Sequence, residues 1–233
     1  AFFRVERIID QDAFDELLTT REAKRIQFDA ELSPLELSLK EEDEALFQQL
    51  EAVKAYAFEA YSKFGTECAL RSNHVREHHI NLIDILSRTV LGEQLISNLN
   101  VHEKFILCAA AFLTDIGICD CESEVLNRMT STLEIPESSL GDVWQNHQKL
   151  SQIVVKELEC VPEKYREAVG QVVSVGIGNL VSVEAQSTEF TINPRDRKKA
   201  CLPLLSCSIL IADLLDIDAL TARTLLDDYH HID

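Results

Sequence analysis

The feature that most constrains the fold is a helical spacing of apolar residues that begins at Glu41 and continues almost to the end of the chain. In the first segment one helix face is formed by Leu46, Phe47, Leu50, Val53, Ala57, Tyr61 and Phe64, and Gly65 can end the helix. Similar apolar stripes lie at about 72–90, 102–116, 139–158, 162–177, 198–216 and 218–229. This repetition predicts a mainly α-helical domain, because each stripe must be buried against a neighbouring helix.

The first 40 residues have a different pattern. Apolar residues alternate within Arg25–Leu39, and Ser33-Pro34 interrupts the alternation. Period-two alternation broken by such a pair is typical of two short strands joined by a turn. We therefore predict an N-terminal segment, residues 1–40, that has some β character, either as a hairpin or as the edge of another domain. One helical domain is expected over residues 41–233. A further short strand is expected between Ser187 and Ile192.

Composition limits the classes of partner. Acidic residues outnumber basic ones 40 to 22, which gives a formal net charge of −18. A field of this sign repels polyanions unless cations are concentrated locally. The densest basic run is Arg195-Asp196-Arg197-Lys198-Lys199, and a run of this kind is typical of a solvated loop or helix start. Duplex nucleic acid is therefore not expected as a partner.

Cysteine usage and hydropathy indicate the compartment. The 7 cysteines are scattered, and three of them, Cys108, Cys201 and Cys207, lie in apolar helical runs where free cysteine behaves as a small hydrophobic residue. No apolar run approaches the roughly 18–20 residues of a membrane helix, and no signal-like segment opens the chain. We expect a cytoplasmic protein without a membrane partner. Because the chain begins at Ala1 without methionine, other domains of a larger protein are expected as partners.

Two segments carry side chains suited to a shared site. The sequence of Asn73–His79 is NHVREHH, and histidines four residues apart lie on one helix face, so His74 and His78 can point at the same place. Ala109–Gly117 is almost wholly apolar except for Thr114 and Asp115 near its end. A buried aspartate requires a cation or hydrogen-bond donors to offset its desolvation.

These segments resemble the HD superfamily of metal-dependent phosphohydrolases, in which an alanine-rich helix ends in a His-Asp-Ile-Gly-like sequence. Here that sequence is Thr114-Asp115-Ile116-Gly117, and His78 precedes the aspartate at a spacing similar to that of the family's first histidine. Asn146–Ser151 is similar to the family's third histidine segment. Ile209–Asp218 is similar to its final Ala-Asp-x-Leu-Asp helix. The matching segments occur in the family's order over residues 72–218.

The resemblance implies an HD-type helical bundle and a role for each candidate residue. His78, Asp115 and Asp213 would bind the metal, and His147 would bind substrate or phosphate. By similarity to cyclic-nucleotide phosphodiesterases, His74 would be the general acid. The cofactor would be one divalent ion, Mn²⁺, Fe²⁺ or Mg²⁺, or none. Either Asp213 or Asp216 can face the site, since residues three apart on a helix both lie within reach.

Thr114 is the main departure from the family, because it stands where a histidine ligates the metal and a hydroxyl is a poor substitute for imidazole. The region Val173–Leu180 also lacks the histidines of two-metal members. We therefore expect a degenerate HD domain that serves as a regulatory, ligand-sensing or interaction module in signalling by a larger intracellular protein, with a nucleotide-like small molecule as its ligand. The alternatives are a single-metal phosphohydrolase acting on a nucleotide or phosphodiester, and a purely structural helical domain.

Each site residue also has a simpler structural interpretation. The histidines at 74, 78 and 79 can form a polar, partly exposed helix start, and Asp115 can accept backbone hydrogen bonds in a loop. His147 can pack near Trp144. Cys119 and Cys121 are a weak indication of zinc, because no second pair stands at ligand spacing.

Overall fold

The computed structural model describes residues 32–67, 72–119, 140–175, 183, 186–193 and 198–216. The chain divides into two units. Ser33–Asp216 forms one of them, and Ala1–Leu32 together with Ile217–Asp233 forms the other. All of the helices and strands given below lie in the first unit.

The described residues are mainly α-helical, as the apolar spacing predicts. The helices are α1 (Pro34–Glu42), α2 (Glu44–Glu67), α3 (Ser72–Ile85), α4 (Gly92–Asn98), α5 (Val101–Leu113), α6 (Ile116–Cys119), α7 (Leu140–Glu157), α8 (Glu163–Val173) and α9 (Leu202–Leu215). A π-helical turn, Leu86–Leu91, joins α3 to α4. Two short strands, β1 (Phe190–Asn193) and β2 (Lys198–Ala200), pair in an antiparallel fashion. Among these helices, none combines the length and the apolar character needed to cross a membrane.

The prediction of a second short strand after Ser33-Pro34 is wrong, because residues 34–42 form α1. Ser33 caps this helix: the Glu36 N–H donates to the Ser33 hydroxyl over 3.3 Å, and the Ser33 N–H donates to the Glu36 carboxylate over 2.9 Å. Pro34 occupies the first turn, where its missing N–H costs nothing. Leu35 and Leu39, four residues apart, are buried. The first half of the expected hairpin, up to residue 31, lies outside the described residues.

The strand expected near Ser187–Ile192 is observed slightly later, as β1. Its partner β2 occupies Lys198–Ala200, with Phe190 opposite Ala200. The helix expected from residue 198 therefore begins only at Leu202, since the preceding residues bond to β1. The helix expected at 218–229 lies outside the described residues.

Helix α5 is at the centre of the fold. Every residue from Lys104 to Leu113 is buried, and α2, α3, α8 and α9 pack against it. Its start is fixed by a capping box, in which the Asn100 side chain accepts from the Glu103 N–H and the Glu103 carboxylate accepts from the Asn100 N–H. The buried Lys104 ammonium contacts Glu42 on α1, which compensates its desolvation.

The same capping residues fix the start of α9. The Glu103 carboxylate accepts from the Cys201 N–H over 3.0 Å, and the Asn100 amide donates to the Lys199 carbonyl over 3.0 Å. From this anchor α9 runs along α3 and α5. Its last turn, with Asp213, is thereby brought to the part of α3 that carries His78.

Candidate functional site

Side chains from four parts of the fold meet around His78 of α3. Its Nε2 atom lies 3.5 Å from an oxygen of Asp115, in the turn after α5, and 3.5 Å from an oxygen of Asp213 on α9. His147 of α7 approaches the other Asp115 oxygen to 3.4 Å. Four of the residues proposed from sequence therefore lie together. His74 is on α3 as well, but its side chain is outside the described residues.

Asp213 of α9 and Asp216, which directly follows α9, both face His78, each on a different ring nitrogen. Asp216 accepts a hydrogen bond of 2.6 Å from His78 Nδ1, while Asp213 faces Nε2. The side chain of Asp216 is 1% exposed and that of Asp213 is 39% exposed. Asp216 therefore orients the ring from inside the protein, and Asp213 borders the open side of the cluster.

The carboxylates hold His78 in its charged form. Burial by itself would lower the pKa of His78, but the hydrogen bond that His78 donates to Asp216 and the charges of Asp115 and Asp213 raise that pKa from 6.5 to about 9. Burial also raises the pKa of Asp213, and the neighbouring carboxylates Asp115 and Asp216 raise it further against the opposing effect of His78. The cluster thus concentrates negative charge around one imidazolium.

His79 is fully buried beside this cluster, so the partly exposed helix start is the wrong interpretation for this residue. Its Nδ1 donates to the Ala111 carbonyl over 2.8 Å, and its ring stacks on Tyr61 with centroids 4.4 Å apart. Burial lowers the pKa of His79 to about 4, and the neighbouring charge of His78 adds to the effect. The ring is therefore neutral at physiological pH.

The turn that carries Asp115 is locked against α7. The Ser151 hydroxyl donates to the Thr114 carbonyl over 2.7 Å and accepts from the Gly117 N–H over 3.0 Å. A Cβ atom at Gly117 would lie only 2.4 Å from the Ser151 nitrogen, so this close approach requires glycine. The Thr114 hydroxyl donates to the Ala110 carbonyl over 2.8 Å, which turns it toward its own helix and away from a ligand role.

The side chains of the cluster, imidazoles and carboxylates, are of the types that bind divalent metals in proteins. Donors about 2.1 Å from a common ion are about 3.0–3.4 Å apart. The separations of 3.5 Å between His78 Nε2 and the carboxylates of Asp115 and Asp213 are close to that range and long for hydrogen bonds. The Asp216–His78 hydrogen bond is the arrangement that orients a metal-binding imidazole. Two buried atoms here, His79 Nε2 and Asp216 Oδ1, have no hydrogen-bond partner.

The side chains of the cluster are not arranged as a complete set of metal ligands. Within the described ranges, no group of three or more His, Cys, Asp or Glu side chains has metal-binding geometry. Without a metal, a protonated His78 supplies positive charge between these carboxylates. His78 must lose that proton to become a ligand.

Sequence reasoning underrated His79 and missed the structural role of Ser151. A signal for the burial of His79 was available, because Leu82, Ile83 and Leu86 follow it at helical spacing and are all buried. No local signal marks Ser151 as the link between α7 and the turn after α5, since that contact joins residues 34 and 37 positions apart.

Comparison with known proteins identifies the family. No curated protein and no solved structure is significantly similar to the chain. A family model named HD-CE matches residues 58–232, which is most of the chain and includes all the side chains of the cluster. This match supports the HD resemblance at the level of the domain and its helical fold. The chain therefore belongs to the HD-CE family.

Proposed function

We propose that this chain is a degenerate HD domain that holds one divalent metal ion and, through it, senses a phosphate-bearing, nucleotide-like ligand as a regulatory module of a larger intracellular protein. The observation that carries the proposal is the position of one nitrogen, His78 Nε2, at 3.5 Å from two carboxylates of separate chain segments. Membership of the HD-CE family supports a site at this place in the fold.

The charge of the cluster favours a cation. Three carboxylates, those of Asp115, Asp213 and Asp216, surround His78, so the cluster is negative even with His78 protonated. Such a cluster repels a phosphate on its own. A divalent ion reverses this, because it neutralises the carboxylates and gives phosphate oxygens a site to bind. The metal is therefore the component that makes a phosphate-bearing ligand compatible with this site.

The donor types indicate which residues act on the metal and which on the ligand. His78, Asp115 and Asp213 are the proposed metal ligands, and an imidazole with two carboxylates suits Mn²⁺ or Fe²⁺, with Mg²⁺ as a weaker option. Asp216 orients His78 through its 2.6 Å hydrogen bond. His147, with 18% of its side chain exposed, is placed to donate to a phosphate oxygen.

Sensing is favoured over hydrolysis because the histidine of the family motif is replaced. Thr114 is bonded to the Ala110 carbonyl and supplies no donor to the cluster. A bound metal would act as a Lewis acid, and a poorer ligand set weakens both its retention and its ability to activate water. Ligand binding does not require an activated water, whereas hydrolysis does. Replacement of the histidine should therefore reduce ligand binding less than it reduces hydrolysis.

A single-metal phosphohydrolase is the second candidate. It is favoured by the exposure of Asp213, whose side chain is 39% exposed and leaves one side of the cluster open to a substrate. In this case His74 would be the general acid, which stays a prediction from sequence.

The test is a screen of the Mn²⁺-loaded full chain against nucleoside monophosphates, diphosphates and cyclic nucleotides, with melting temperature and phosphate release as readouts. We expect a Mn²⁺-dependent rise in melting temperature with at least one ligand and no release of phosphate. Asp115→Asn should abolish the rise. Asp84→Asn is the matched control, because Asp84 lies on α3 and pairs with the exposed Arg88 outside the cluster.

Two other outcomes discriminate between the alternatives. Turnover that Asp115→Asn abolishes and Asp84→Asn leaves intact would favour the phosphohydrolase. The absence of any Mn²⁺ or nucleotide effect would contradict both metal-dependent functions and favour a purely structural domain.

A further inference from the structure

His79 is a buried histidine at the edge of the cluster, and one of its two ring nitrogens has no hydrogen-bond partner. Its Nδ1 bonds to the Ala111 carbonyl, which can only accept, so Nδ1 carries the hydrogen and Nε2 of the neutral ring presents a lone pair. That Nε2 is buried and has no hydrogen-bond partner. A buried acceptor without a partner is unfavourable, because it has lost water and gained nothing in exchange.

The Nε2 atom of His79 points at the cluster. His79 Nε2 lies 4.0 Å from Asp115 Oδ2, and this is the same carboxylate oxygen that lies 3.5 Å from His78 Nε2. Two imidazole nitrogens from adjacent residues of α3 therefore converge on one carboxylate oxygen. These two atoms, 4.0 Å apart, cannot form a hydrogen bond with each other, since the lone pair of His79 Nε2 and the carboxylate oxygen of Asp115 are both acceptors. A cation bound by both atoms would satisfy both, and binding it would draw them from 4.0 Å toward the about 3.0–3.4 Å of two donors on one ion.

We propose that His79 is a metal ligand of this site and replaces the imidazole that is lost at Thr114, an inference that rests on the proposed function because it concerns the same ion. The second imidazole then comes from α3 rather than from the end of α5. The ligand set becomes His78, His79, Asp115 and Asp213. Two imidazoles and two carboxylates favour a transition metal such as Mn²⁺ or Fe²⁺ over Mg²⁺.

The surroundings of His79 hold it in place for this role. The Tyr61 ring stacks on it at an interplanar angle of 12°, and the Tyr61 hydroxyl donates to the Phe112 carbonyl over 2.7 Å. The His79 ring is thus held between α2 and the backbone of α5. Fixed orientation of a ligand by its supporting residues is what a metal site requires. A histidine that only fills the core does not need its second nitrogen directed at a carboxylate.

The experiment titrates the full-length protein with Mn²⁺ alone and counts the imidazole nitrogens bound to the ion by pulsed electron paramagnetic resonance. Wild type should show two imidazoles. His79→Phe should show one and bind Mn²⁺ at least about tenfold more weakly, which is the scale on which metal sites respond to lost support. Adding Thr114→His to His79→Phe should recover the second imidazole. His102→Phe is the matched control, since His102 lies at the opposite end of α5 and bonds to Tyr165.

The other outcomes overturn one claim or both. If His79→Phe keeps the wild-type imidazole count and affinity while His78→Ala loses metal, the role of His79 is overturned and the proposed metal site stands. If wild type binds no Mn²⁺, both are overturned. Circular dichroism checks the fold, and if His79→Phe does not fold, His79→Gln decides by the imidazole count, because an amide contributes no imidazole nitrogen.

Discussion

Without metal, the charge on His78 should make the stability of the protein fall at alkaline pH. The pKa of His78 is about 9 in the folded protein, against 6.5 for an ordinary histidine. That difference corresponds to about 3 kcal/mol of stability. Because the pKa is raised on folding, this contribution is fully present below pH 6.5 and is lost as the pH rises through 9.

The assay is urea unfolding of protein treated with a chelator, at pH 6 and at pH 9.5, for wild type and His78→Gln. Wild type should lose about 3 kcal/mol more than the variant between the two pH values. Subtracting the variant removes the effect of Cys108, because burial raises the pKa of its thiol in both proteins and also lowers their stability at high pH. Keeping the lower pH at 6 limits the opposite effect of His79, whose pKa of about 4 lowers stability only as the pH falls from 6.5 toward 4.

Asp216→Asn should reduce the effect, since it removes the hydrogen bond that contributes most to raising the pKa of His78. Equal pH dependence in wild type and His78→Gln would contradict a raised pKa of His78 in the folded protein. It would mean that the carboxylates do not hold a proton on His78.

Three further predictions concern the turn after α5 and the binding of Mn²⁺. Gly117→Ala should destabilise the protein by about 1–3 kcal/mol in urea unfolding, because its Cβ would lie 2.4 Å from the Ser151 nitrogen. Gly92→Ala meets no atom within 4 Å, but its φ of 63° and ψ of 171° suit only glycine, so backbone strain alone should cost about 1–3 kcal/mol there. Ser151→Ala removes the hydroxyl that accepts from the Gly117 N–H and donates to the Thr114 carbonyl, and should cost about 1–3 kcal/mol in the same assay. Mn²⁺ affinity, measured by calorimetry, should rise from pH 6 to pH 9 with release of a proton, because Mn²⁺ competes with the Nε2 proton of His78; an affinity independent of pH would contradict this.

The helical part of the fold could be predicted because its signal is local. The apolar stripe on Leu46, Leu50, Val53 and Ala57 identifies a helix without knowledge of its partners, and all four residues are buried in α2. The same holds for the apolar run of α5. The grouping of His78, Asp115 and Asp213 was accessible through the resemblance to a family, since those residues lie on three separate segments and no local pattern joins them.

The misses have physical causes in the competition between local signals or in long-range contacts. At Leu35, Leu37 and Leu39 the alternation predicts a strand, but the capping box of Ser33 and Glu36 stabilises a helix in which Leu37 stays 44% exposed. Which nitrogen of His78 is contacted by Asp213 and which by Asp216 depends on the position of α9 against α3. That position is fixed in part by hydrogen bonds between Lys199 and Cys201, which precede α9, and the start of α5, and sequence spacing does not reveal these contacts.

The metal site formed by His78, Asp115 and Asp213 is tested most directly by the metal content of the protein. The protein is equilibrated with Mn²⁺, the free ion is removed, and bound metal is measured by elemental mass spectrometry. The measurement compares wild type, Asp213→Asn and the control Asp84→Asn. We expect about one Mn²⁺ per chain in wild type and in the control, and a large loss in Asp213→Asn, since Asp213 is a proposed ligand. Metal-free wild type, or the same Mn²⁺ content in all three proteins, would contradict a metal site formed by His78, Asp115 and Asp213.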